Sequence, residues 1–145
     1  MLLLLAACGG GSAVSPPAAT PTPTPAAVPL SFAMQGVGSA NAGITGTAEV
    51  VRGTGNFQLT VRLRGLPPSS NHIAHIHVGS CAANGAIDVP LQPLVADGAG
   101  SATSITTVNK DYLIPPAGWY ANVHQGPDLQ GDNAKPMACG DLKAA

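Results

Sequence analysis

Charge is scarce in this chain. Of its 145 residues only 9% are Asp, Glu, Lys or Arg, and the net charge is −1. A protein that grips nucleic acid by its phosphates needs a basic patch, and six Lys and Arg in all do not supply one. Aromatic residues make up 3%, too few for a platform on which bases stack. Glutamate occurs once, at Glu49. No apolar run is long enough to cross a bilayer. What is plentiful is glycine, with 18 residues, and proline, with 14. That composition argues against long helices and for many short strands joined by turns. The length suffices for one domain with a true core.

The first stretch reads as a targeting segment rather than as structure. Residues 1–8, MLLLLAAC, are an apolar run ending in small residues and a cysteine, without the usual basic residues before it. Leu5-Ala6-Ala7-Cys8 resembles the lipobox of bacterial lipoproteins. That resemblance implies cleavage before Cys8, lipidation of its thiol, and a protein anchored at a membrane facing the periplasm or the cell surface. An ordinary signal peptide with Cys8 free would still mean export. Residues 9–29 read as a tether: GGGSAVSPP is flexible, and PTPTP favours extended polyproline geometry. The folded domain is expected over 30–145.

Three cysteines look odd for an exported chain. With lipid on Cys8, Cys81 and Cys139 are left as a pair. An oxidising compartment lets them join; two buried thiols are the other possibility at this point.

The clearest strand is NFQLTVRL, 56–63. Phe57, Leu59, Val61 and Leu63 face one way, while Gln58, Thr60 and Arg62 face the other. This is the mark of a half-buried antiparallel sheet. Further strands are expected at 30–37, 43–51, 71–79, 100–108, 118–125 and 136–142. Residues 79–100 read as a loop-rich crossover, and 109–114 as ambiguous.

Three of the four histidines fall in NHIAHIHVG, 71–79, and the fourth in WYANVHQG, 119–126. Period-two alternation puts His75 and His77 on one face with Ile73. It sends His72, Ala74, Ile76 and Val78 to the other, which looks like a core face. On the second stretch Tyr120, Asn122 and His124 share a face. Two imidazoles on one strand make half a metal site, and His124 is the histidine left to complete it. Three neutral imidazoles suit copper, because Cu(I) accepts three nitrogens and Cu(II) the same three plus water. Zinc would bind them too. Against hydrolytic zinc stands the lack of an acid or base interleaved with the histidines. One copper ion is therefore the expected cofactor, and zinc is not expected.

Two families resemble these stretches. GLPPSSNHIAHIHVGSC, 65–81, and NVHQGPDLQGDNAKPMACGDL, 122–142, resemble the ligand segments of copper/zinc superoxide dismutases. The resemblance implies His75, His77 and His124 as copper ligands and His72 as an inward residue behind them. It also implies a Cys81–Cys139 disulfide. No histidine follows Cys81 before His124, and Asp88 and Asp97 alone cannot build that family's zinc site. The likeness is thus to a copper-only, zinc-less relative. The family's active-site arginine is also missing, with Lys135 near its position. The second family is the CHRD domain, whose Gly-Leu-Pro turn, HIHxG strand, Gly-rich strand and YxNVH strand resemble 65–79, 98–107 and 120–124. Together these resemblances imply an all-β fold, an antiparallel Greek-key β-sandwich or flattened barrel, either immunoglobulin-like or Cu/Zn superoxide dismutase-like.

Three functions follow as expectations. The chain dismutates superoxide at a copper ion. Or it binds and buffers copper without turnover, in exchange with a copper-handling partner. Or it is a cell-surface adhesion or scaffolding module whose histidines are structural.

Overall fold

A computed structural model of the chain describes residues 28–144. The leader with Cys8, and the tether as far as residue 27, lie outside the described residues. Eight strands follow: β1 Leu30–Gly36, β2 Thr45–Arg52, β3 Phe57–Arg64, β4 Asn71–Gly79, β5 Asn84–Val95, β6 Ala102–Val108, β7 Trp119–His124 and β8 Pro136–Leu142. They form one antiparallel sheet in the order β5-β4-β7-β8-β1-β2-β3-β6.

The sheet curls until its two edges meet. Between β5 and β6 the contact is made largely by side chains. The Gln92 amide N–H donates to Thr106 Oγ1 at 2.9 Å, and the Ser104 hydroxyl donates to the Gln92 carbonyl at 2.6 Å. The result is a flattened barrel. Around it β4, β5 and β6 run consecutively, and β3 lies beside β6, which is a Greek key.

Alternation explains the core. On β3, Phe57, Leu59, Val61 and Leu63 are each no more than 1% exposed, while Gln58, Arg62 and Arg64 face water. They share one apolar core with Met34, Val50, Ile76 and Val123 among others. Burial of this apolar area, at about 25 cal/mol per Å², is the main force holding the barrel closed. Outside, Arg62 pairs with Glu49 on the neighbouring strand.

Two expectations need correction. Residues 79–100 are not a loop-rich crossover, because twelve of them form β5, paired to β4. Pro90 and Pro93 disguise it, since proline cannot donate to a ladder. They are tolerated because β5 ends the ladder and bonds with backbone on one side only. Register shifts against β4 break its alternation further, leaving only Val89 and Leu94 buried. The second correction is at 43–51, where the ladder starts only at Thr45. Ile44 is buried all the same, and its carbonyl accepts the Gly36 N–H at 2.9 Å.

The ambiguous segment 109–114 closes one end of the barrel. It seats Tyr112 edge-on against Phe57 at 5.2 Å between ring centres, with Trp119 6.0 Å from both rings. The Tyr112 hydroxyl donates to the Lys143 carbonyl, and burial pushes its phenol up to about 12. Elsewhere, Cys81 and Cys139 are joined, with Cα atoms 5.9 Å apart. The bond ties the turn before β5 to β8, and the Cys81 N–H adds a 2.7 Å bond to the Asp141 carboxylate.

Candidate metal centre

The centre is built on β4 and β7, which pair directly. In their register His75 lies opposite Asn122, and His77 opposite Tyr120. Alternation then fixes which side chains share a face. His72, Ala74 and Ile76 turn into the core, each at most 1% exposed. Val78, expected with them, is only partly buried. His75 and His77 turn outward, on the face that β7 supplies with Tyr120, Asn122 and His124.

On that face the three imidazoles converge. Ring centres are 5.2 Å apart for His75 and His124, and 5.7 Å for each of the other two pairs. One nitrogen from each ring lies within 4.8 Å of the others. Hydrogen bonds decide which nitrogens these are. The His77 Nδ1–H donates to the Gly85 carbonyl at 3.0 Å, and the His124 Nδ1–H to the Ala134 carbonyl at 2.8 Å. Each ring is thereby held as the tautomer with a free Nε2 lone pair. His75 turns Nδ1 inward, 3.2 Å from His124 Nε2. Ligand nitrogens around one ion at about 2.0–2.1 Å sit a little over 3 Å apart, so this pair already has the spacing of two ligands. His77 Nε2 is buried with no partner.

Burial favours the neutral form of His75 and His124. It lowers His75 to about 4, and the neighbouring His124 and His77 rings add to the shift. His124 is lowered chiefly by burial, in part offset by its bond to Ala134. At neutral pH His75 and His124 are therefore uncharged. His77 and His124 are buried while His75 is half-buried, so the centre opens to solvent past His75.

The surroundings hold these rings in place. Tyr120 stacks on His77, 5.1 Å away and 28° from parallel. His72 ties the strands together from within. Its Nδ1–H donates to the His124 carbonyl at 3.0 Å, and its Nε2 shares a hydrogen bond with the Ser70 hydroxyl at 2.6 Å. Gly85 is required where it stands, because a Cβ there would meet the Val78 carbonyl at 2.1 Å. The segment after His124 folds back through Gln125 N–H to Lys135 O and Gly126 N–H to Asn133 O, which delivers Ala134.

The remaining charged residues lie elsewhere. Lys135 points to solvent and pairs with Asp132 at 2.6 Å. Asp88 pairs with Lys110 at 2.9 Å, and Asp97 caps a turn through the Ala99 and Ser101 N–H groups. Among the described residues the three histidines are the group with metal-binding geometry. Two parts of the surroundings escape sequence reasoning. The Gly85 and Ala134 carbonyls are backbone atoms outside the strands that reading placed. Asn122 shares the face of His124, but nothing in the pattern marks it as buried beside the histidines.

The fold has clear relatives among solved structures. The SOD-like protein from Bacillus subtilis superposes with a TM-score of 0.61 at 14% identity, over 78% of this chain and 97% of that one. The Cu/Zn superoxide dismutase from Brucella abortus gives 0.54 at 21%, over 80% and 100%. At such identities the likeness is one of fold, and it selects the dismutase-like barrel over the immunoglobulin-like sandwich. No curated protein matches the sequence. The CHRD domain family matches residues 26–128, well over half of the chain and all four histidines. The chain therefore belongs to the CHRD domain family, built on a superoxide dismutase-type barrel.

Proposed function

We propose that this is an exported copper-binding protein that dismutates superoxide, with His75, His77 and His124 holding one copper ion. The observation that carries the reading is the buried, unpartnered Nε2 of His77, with one nitrogen from each of two further imidazoles within 4.8 Å. An unsatisfied buried nitrogen is costly unless something occupies it. The donor set is three neutral nitrogens with no carboxylate or thiolate, which suits copper in both oxidation states. Bound there, copper would supply one-electron chemistry, taking two superoxide ions and two protons to O₂ and H₂O₂.

The chain's own residues orient and admit. The carbonyls of Gly85 and Ala134 hold two rings by their Nδ1–H groups, and Tyr120 supports His77. The half-buried edge at His75 admits a small anion and lets water supply the protons. Low net charge gives little long-range attraction, so capture should be slow beside strongly steered enzymes.

The test is copper stoichiometry on the purified chain, then superoxide consumption under a chelator that removes free ion. One copper per chain and turnover above background are expected. Loading should be lost as pH approaches 4, where His75 takes up a proton. The sign is that of a depressed base: protons compete only below its lowered value. Bound copper with background turnover would leave the second reading, a copper-binding or buffering module that exchanges the ion with a copper-handling partner. The outward, paired Lys135 favours that reading, since no cation faces the centre from its position. A chain that holds no copper would be a scaffold or adhesion module.

Anchoring through lipid on Cys8, facing the periplasm or the cell surface, belongs to the same proposal. The Cys81–Cys139 link supports export, because such bonds persist in oxidising compartments. Cys8→Ser should release the protein from the membrane fraction on cell fractionation; retention there would refute the anchor.

A further inference from the structure

We infer that Asn122 is a fourth polar group of the centre, its side-chain amide oxygen acting as a weak neutral donor that favours Cu(II) over Cu(I). The inference rests on the copper reading above. Asn122 lies directly across from His75 in the β4–β7 register, on the same face as His124. It is 3% exposed. Its Oδ1 is buried and has no partner. Its Nδ2 comes only within 3.4 Å of His124 Nε2, a nitrogen that already faces His75 Nδ1 at 3.2 Å.

Asparagine is a poor choice for the interior of a strand, and a buried carboxamide oxygen without a partner is destabilising. Valine would serve the strand better if packing were the only requirement. The amide stands beside the one nitrogen cluster with metal geometry, so the polar group is explained by what that cluster binds. Once the His124 Nε2 lone pair is given to an ion, the Nδ2 contact loses its acceptor. A half-turn of the amide exchanges nitrogen for oxygen, which turns a lone pair toward the ion. A carboxamide oxygen is a hard donor. It adds little to soft Cu(I), which three imidazoles satisfy, and more to Cu(II).

The experiment compares Asn122→Val and Asn122→Asp with the wild-type full chain. Dissociation constants for Cu(I) and Cu(II) are measured by competition, and the Cu(II) site is followed by electron paramagnetic resonance. Asn122→Val should weaken Cu(II) binding about 10-fold, leave Cu(I) within about twofold, and change the Cu(II) spectrum. A selective tenfold loss raises the reduction potential by about 59 mV. Asn122→Asp, of the same size, should shift Cu(II) affinity the opposite way, and it carries the test if the valine variant fails to fold. Equal losses for both oxidation states would mean a purely structural role and overturn the inference. So would an unchanged spectrum with unchanged affinities. A wild-type chain that takes up no copper overturns the copper reading, and this inference with it.

Discussion

Replacing His124 by alanine is expected to lower copper affinity by far more than 100-fold. Removing a residue that merely orients a ligand costs about 10- to 100-fold; His124 is proposed as a ligand itself. What remains is His75 and His77, two residues apart on β4, with no imidazole from β7 to meet them. The backbone should survive the change. The His124 carbonyl that accepts from His72 belongs to the main chain, so the internal tie between β4 and β7 is kept. The lost ring was buried, and the cavity should cost about 1–3 kcal/mol of stability. Dialysis against a chelator followed by metal analysis reads the affinity, and circular dichroism checks the fold. A folded alanine variant that keeps copper as the parent does would remove His124 from the site.

The second large effect concerns stability. Cys81 and Cys139 are 58 residues apart in sequence, and cross-linking a loop of that length removes about 4 kcal/mol of unfolded-state entropy in the chain-entropy model. The double variant Cys81→Ser/Cys139→Ser should melt on the order of 15 °C lower. Metal binding should suffer as well. The bond fastens the turn that leads into β5, and β5 begins with the stretch whose Gly85 carbonyl holds His77. Thermal melts of parent and variant, with and without reductant, measure the first effect, and competition titration the second. A variant that melts with the parent would show that the bond contributes nothing to holding the barrel.

Much of this site can be read from the residues. Strict alternation on 71–79 and 119–124 put His75, His77 and His124 on matching faces and turned His72 inward, and the observed register agrees. Those strands are legible because they pair with each other in unbroken register, which keeps His75 and His77 on the face of Tyr120, Asn122 and His124. β5 is illegible for the opposite reason. Two prolines and a shifting register remove the period that marks a strand, and only its place at the end of the ladder makes that tolerable. The backbone carbonyls that set the tautomers have no signature at all, since every residue carries one. Tertiary folding alone decides which of them meets an imidazole.

The seam between β5 and β6 bears on how copies of the chain behave toward each other. An open sheet ends in rows of unused donors and acceptors, which invite a second sheet to join. Here the Gln92 backbone groups are already taken by Thr106 and Ser104, and prolines interrupt the rest of that margin. Crowded copies of the chain would thus find little margin on which to extend one another's sheets into a fibre.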